Sequence, residues 1–85
     1  MSTFEIEGRT ALVTGANRGI GRAIAEALLE AGAGKVYAAA RRTDTVADLD
    51  TAYPDRVVAL KLDVTNPEQV EDAAAVAGDV ELLVN

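Results

Sequence analysis

Apolar and polar positions follow two alternating patterns along this chain. Thr10-Ala11-Leu12-Val13-Thr14 is a short apolar run that stops at Gly15, the pattern of a buried strand. Ile20, Ala23, Ile24, Ala27, Leu28 and Ala31 then recur at i, i+3, i+4, i+7, i+8 and i+11, which predicts one face of a helix that Gly32 and Gly34 can end. Residues 35–40 return to a strand-like run, with Val36 and Tyr37 favouring extended backbone. Val46, Leu49 and Tyr53 mark a second helix face over 43–53, closed by Pro54. A third strand is expected over 56–62. Thr65-Asn66-Pro67-Glu68 reads as a helix start, with Thr65 and Glu68 at capping-box spacing and Asn66 before Pro67 as an alternative N-cap. Val70, Ala73, Ala74 and Ala77 give that helix an apolar stripe, Gly78 stops it, and 80–84 forms a fourth strand. The β-α-β-α-β-α-β series implies an α/β fold with a parallel sheet and right-handed crossovers. The helices after the first two strands share one face, the helix at 67–77 lies alone on the other, and the strand order is 3-2-1-4.

Composition narrows what this sheet can be for. At 85 residues, 49% hydrophobic and 26% charged, the chain reads as one globular domain at most. It has no cysteine and no histidine, which excludes disulfides, zinc sites of the usual kind and histidine-based triads. Its aromatic residues are Phe4, Tyr37 and Tyr53, too few for a base-stacking platform, and a net charge of −6 argues against nucleic-acid backbones as partners. No apolar run reaches the ~18–20 residues of a membrane span, and residues 1–8 lack signal-peptide character, so the expected location is cytoplasmic. The charge is uneven: residues 1–42 are net +2 and residues 43–85 net −8. Arg18, Arg22, Arg41 and Arg42 therefore stand out as a candidate anion site in an acidic chain.

The segment Thr14-Gly15-Ala16-Asn17-Arg18-Gly19-Ile20-Gly21 runs from the first strand into the first helix. Gly15 suits a tight turn, Gly19 a close backbone approach to a ligand, and Gly21 close packing of helix on sheet. The free amides and positive end of the helix then suit a diphosphate. The competing reading is a purely structural glycine turn, which the strand-to-helix placement disfavours. An ATPase-type phosphate loop would need Gly-Lys-Ser/Thr at its end, where this chain has Ile20 and no lysine. A methyltransferase would want an acid at the end of the second strand, where Ala40 stands.

Thr14 to Gly21, Leu62-Asp63-Val64 after the third strand and Leu82-Leu83-Val84-Asn85 at the fourth together resemble the short-chain dehydrogenase/reductase family. The resemblance runs along the whole chain and matches about the first third of a family domain. It implies a Rossmann-type, three-layer and truncated doubly wound fold, with residues 1–85 the N-terminal dinucleotide-binding part of an incomplete domain. It also implies roles. Gly15, Asn17, Gly19, Ile20 and Gly21 correspond to contacts with the diphosphate and ribose of a nicotinamide dinucleotide. Asp63 corresponds to the acid that accepts from the adenine amino group, Val64 backs the adenine ring, and Asn85 borders the cofactor. The structural alternative for Asp63 is a strand-end turn residue.

The choice of dinucleotide follows from charge. An NAD site wants an acid about twenty residues beyond the glycine loop for the ribose 2′-hydroxyl. Ala40 occupies that position and Arg41 follows. A guanidinium there suits a 2′-phosphate, and Arg18 matches a second basic position of family members that use NADP. The expected cofactor is NADP(H) in preference to NAD(H). Arg42 is expected to be a solvated surface charge and Arg22 to pack along its helix.

The family's hydride transfer uses a tyrosine, a lysine four residues later and a serine. The only serine here is Ser2, and neither tyrosine is followed by lysine at that spacing. The expected function is thus an NADP(H)-binding portion of an oxidoreductase, silent alone, with the missing C-terminal half as a possible complementing partner. A second reading is a self-associating structural fragment with a vestigial or unfilled nucleotide site. It would form a homo-oligomer through strand 80–84 or the uncovered sheet face.

Overall fold

The structure, a computed structural model, describes residues 6–84. Four parallel strands form one sheet: β1 (Thr10–Thr14), β2 (Lys35–Ala40), β3 (Val57–Lys61) and β4 (Leu82–Val84), in the order β3-β2-β1-β4. Thr10 to Thr14 pair with Lys35 to Ala39, Val36 to Ala40 with Val57 to Lys61, and Ala11 to Val13 with Leu82 to Val84. The helices are α1 (Gly19–Glu30), α2 (Ala47–Ala52) and α3 (Pro67–Val76). Strand order, parallel pairing and element order are as the sequence predicts.

The period-2 alternation of β1 and β2 divides the apolar residues between two cores. Ala11, Val13, Val36, Ala38, Ala40 and Val57 pack with Ala25, Leu28 and Leu29 of α1 and with Val46 and Leu49. Leu12, Tyr37, Ala39 and Leu62 pack with Ala73 and Ala77 on the other face. Leu29 and Leu49 are among the largest fully buried side chains, each stabilising the fold by about 1.5–3 kcal/mol. Alanines occupy both sides of the contact between α1 and β2, at Ala25 and Ala38, both fully buried.

Local expectations needed correction in four places. The buried face of α1 is Ala25, Leu28 and Leu29, with Ile24 partly buried, whereas Ala23 and Ala27 are exposed and Ile20 is 81% exposed. Alanine is small and apolar enough for either side of a helix, so the spacing pointed to Ala23 and Ala27 where packing buries Ala25 and Leu29. Segment 43–53 is not one α-helix: a 3-10 turn, Thr43–Val46, precedes α2, although Val46 and Leu49 are buried as expected. The capping box of Thr65 and Glu68 does not form. Asn66 is the N-cap of α3, its side chain accepting from the Glu68 and Gln69 amides at 3.0 and 3.3 Å, with Pro67 as the first helical residue. On α3, Ala73 and Ala77 are buried while Val70 and Ala74 are exposed.

Turns and ion pairs hold the ends of these elements. α1 closes as predicted, with the Ala33 amide donating to Leu28 O and the Gly32 amide to Leu29 O, and Gly32 at φ +96°. The Arg56 guanidinium then donates to Leu29 O and Ala33 O at 2.7 Å each. At the amino edge of the sheet, Asp79 accepts from Lys35 Nζ (2.6 Å) and from the Tyr37 hydroxyl (2.8 Å), linking β2 to the turn before β4. No helix among the described residues is long and apolar enough to cross a membrane.

Candidate functional site

Because all four strands are parallel, their carboxyl ends share one edge, and the loops that follow β1, β2 and β3 meet there. The loop after β1 is fixed by geometry more than by side chains. Gly15 and Gly19 adopt φ +64° and +62°, a region costly for residues with a Cβ. Apart from the adjoining chain, no described atom lies within 4 Å of where a Cβ would stand at either position, so the backbone there faces open space. Gly21 is different. A Cβ on it would lie 2.2 Å from Gly15 O and 2.8 Å from Gly15 C, so only glycine allows α1 to start this close to the strand end. The Ala16 amide donates to Ala39 O at 3.0 Å and ties the loop to β2. Arg18, the N-cap of α1, is extended, and no side chain caps the helix. There is no acidic residue in its first turn. Among the described residues, no carboxylate of the first turn meets the positive end of the helix dipole.

Beside this loop lies a cavity of about 470 Å³, lined by Thr14, Gly15, Asn17, Arg18, Ala40, Arg41, Arg42, Thr45, Leu62 and Val64. The sequence-derived residues Gly15, Asn17, Arg18, Arg41 and Val64 come together on its wall. Gly19, Ile20 and Gly21 stand at the start of α1 but not on the lining, and Asn85 lies outside the described residues. Asp63 adjoins the wall. Its Oδ1 accepts from the Thr65 amide (2.9 Å) and the Thr65 hydroxyl (2.6 Å), and sits 3.9 Å from Arg41 Nε. The Thr65 hydroxyl, then its amide, with the Arg41 charge a smaller contribution, holds this carboxyl below its ordinary range. The Asp63 amide donates to Gln69 Oε1 at 2.8 Å, which anchors the loop to α3.

The four candidate arginines sort by the partners they meet. Arg42 is a solvated surface charge as expected, its side chain 75% exposed, and it also lines the cavity, its Nη2 donating to Asp44 Oδ2 at 2.7 Å. Arg22 packs along its helix as expected and is not on the cavity wall. Its Nη1 and Nη2 donate to the two oxygens of Asp48 at 3.1 and 2.7 Å, and its Nε to Glu26 at 3.0 Å, so it pins α1 to α2. Asp48 first, and Glu26 second, raise its pKa. Thr45 was not legible as a site residue. It reaches the wall because the 3-10 turn places it over Arg42, whose carbonyl accepts from the Thr45 amide and hydroxyl. A helix of ordinary pitch read from the sequence hides that spacing.

Three arginines and the glycine turn that leads into α1 therefore line one cavity at the carboxyl edge of a 3-2-1-4 sheet. Residues 9–85 match the family model described as short chain dehydrogenase. The chain belongs to the short-chain dehydrogenase family. Relatives within it include the 3-oxoacyl-(acyl-carrier-protein) reductase FabG of Vibrio cholerae, 43% identical over 86 residues, covering 96% of this chain and 35% of that protein. D-erythrulose reductase of Gallus gallus is 48% identical over 84 residues, covering 96% of this chain and 32% of the relative. A short chain dehydrogenase of Burkholderia cenocepacia, solved in complex with NADP, superimposes with a TM-score of 0.86 at 48% identity, over 100% of this chain and 33% of that one. The chain spans about a third of the length of the curated relatives it matches.

Proposed function

We propose that residues 1–85 are the N-terminal dinucleotide-binding part of a short-chain oxidoreductase, and that this part holds NADP(H) in preference to NAD(H). The observation that carries the reading is the convergence of Arg18, Arg41 and Arg42 on the cavity beside the glycine turn, with Ala40 where a ribose-binding acid would stand. The relatives named as reductases and the NADP-bound neighbour support it. Gly15, Asn17, Gly19, Ile20 and Gly21 hold the diphosphate and the adjoining ribose. Arg18 and Arg41, joined by Arg42, hold the 2′-phosphate through charge-assisted hydrogen bonds. Asp63, through its free lone pairs, and Val64 face the adenine, and Asn85 borders the cofactor.

A bound nicotinamide supplies hydride chemistry between a carbonyl and an alcohol. Neither tyrosine among these residues serves such a transfer. The Tyr37 hydroxyl is held by Lys35 and Asp79 at the opposite edge of the sheet, and the Tyr53 ring lies against Arg56. The 85 residues bind and orient, and are catalytically silent by themselves.

Thermal melting with 2′-phospho-ADP-ribose and with ADP-ribose tests the reading. Binding at a hundred times the dissociation constant stabilises by about 2.7 kcal/mol, so the phosphorylated ligand should raise Tm more at equal concentration. Equal shifts, or NAD binding as tightly as NADP, overturn the cofactor assignment.

A second reading, self-association, is favoured by one observation. β4 is one of the sheet's two edge strands, and Leu83 on it is 64% exposed beside an apolar groove of about 410 Å³ under α3. A second copy pairing along β4 would cover both. Light scattering across a concentration series tests this, and a monomer at every concentration removes it.

A further inference from the structure

We propose that Asp44 is a specificity-determining residue of the cavity: its carboxylate competes with the ligand's phosphate monoester for the Arg42 guanidinium. The inference rests on the NADP(H) reading above and concerns how strongly that site discriminates.

The pair is created by the backbone. Arg42 is the N-cap of the 3-10 turn Thr43–Val46, and its carbonyl accepts from the Thr45 amide at 3.2 Å and from the Thr45 hydroxyl at 2.5 Å. That tight turn brings the side chains two residues apart together, Arg42 Nη2 to Asp44 Oδ2 at 2.7 Å. Arg42 lines the cavity, whereas Asp44 does not. The three cavity arginines thus differ in how far they are neutralised. Arg41 lies 3.9 Å from Asp63, a carboxylate already engaged by Thr65. Arg18 has no carboxylate partner among the described residues. Of the three, among the described residues, Arg42 is the one in a short, charge-assisted bond with a carboxylate.

Magnitudes decide whether Asp44 helps or hinders. Both side chains are largely exposed, 75% and 64%, and an exposed pair of this kind adds little as a scaffold. Holding Arg42 in place therefore gains little. A phosphate monoester carries about −1.5 to −2 charges at pH 7, and it would meet a fixed carboxylate beside the cation offered to it. One nitrogen of the planar fork is also already used, which works against two-pronged capture of the phosphate. Repulsion and competition outweigh pre-positioning.

Calorimetric titration of the chain with adenosine 2′,5′-bisphosphate and with adenosine 5′-monophosphate tests this. The wild type should prefer the bisphosphate. Asp44→Asn should tighten bisphosphate binding about two- to fivefold and leave monophosphate binding unchanged, while Asp44→Glu returns the affinity towards wild type. Asp44→Ser, which removes the charge without introducing an amide, should behave as Asp44→Asn. A merely structural role for Asp44 would move both probes together. Unchanged or weaker bisphosphate binding in both neutral variants, with the wild-type preference intact, overturns the inference and leaves the NADP(H) reading standing. Equal binding of the two probes by the wild type overturns that reading and this inference with it.

Discussion

Replacing Gly21 by alanine puts the glycine turn under direct test, because propensity and packing predict opposite signs. In a helix interior alanine is favoured over glycine by about 0.8–1 kcal/mol, so on helix preference alone the variant should be more stable. The structure places the new Cβ 2.2 Å from Gly15 O, 2.8 Å from Gly15 C and 3.0 Å from Thr14 O. Ordinary contact begins at 3.4 Å, so the helix start or the loop must yield by roughly 1.2 Å. All three clashing atoms are backbone, and the loop is tied to β2 through Ala16 and Ala39. Overpacking of this kind costs about 1–3 kcal/mol, which outweighs the propensity gain over most of its range. The net cost is then about 0–2 kcal/mol, and for a domain of this size about 1 kcal/mol corresponds to 4–8 °C in Tm, so a fall of up to about 16 °C is expected by circular dichroism, with NADP binding weakened in titration. Gly78→Ala is the control, since nothing lies within 4 Å of its Cβ position and its φ is not positive. It should melt at or slightly above the wild type. A Gly21→Ala protein that melts as high as the wild type and binds NADP as tightly would refute the claim that close approach at this position shapes the site.

Three further outcomes are expected. Arg41→Met should weaken 2′-phosphate ligands about tenfold or more, the loss of one charge-assisted contact at about 1.5–3 kcal/mol, while ligands lacking that phosphate bind as before in parallel titrations. Arg56→Met keeps the apolar stem but leaves Leu29 O and Ala33 O without their guanidinium donor; chemical denaturation should show a loss of about 1.5–3 kcal/mol, and a loss below 0.5 kcal/mol would mean that water replaces the guanidinium. Asp48, Asp63 and Asp79 are each held below the ordinary carboxylate range, chiefly by hydrogen bonds from Arg22, Thr65 and Lys35 respectively. The unfolded chain therefore takes up protons first. Stability from these groups is complete above about pH 5 and is lost as pH falls through and below about 4. Asp79→Asn should flatten the acid limb of a Tm-against-pH curve, and an unchanged slope would contradict its pairing with Lys35 and Tyr37.

Much of this molecule was written in local pattern. Apolar runs at 10–14 and 35–40, helical spacing between them and the Gly-rich junction are short-range signals, and parallel strands joined by right-handed crossovers leave few topologies to choose from. The glycine turn was legible because positive φ and steric exclusion are properties of the residue itself. So was the absence of an acid at Ala40. Tertiary structure decided what depends on neighbours distant in sequence. Alanine is small enough to be buried or exposed on any helix face, so the apolar spacing pointed to Ala23 and Ala27, whereas packing on the sheet buried Ala25 and Leu29. A charge in sequence has no partner until the chain folds. Asp48, twenty-six residues away, removed Arg22 from the anion site, while the 3-10 turn turned Arg42 and Thr45 onto the cavity wall beside Asp44. Residue types and backbone limits are encoded one position at a time, but ion pairing and the choice of buried face are settled by the lowest free energy of the whole packed chain.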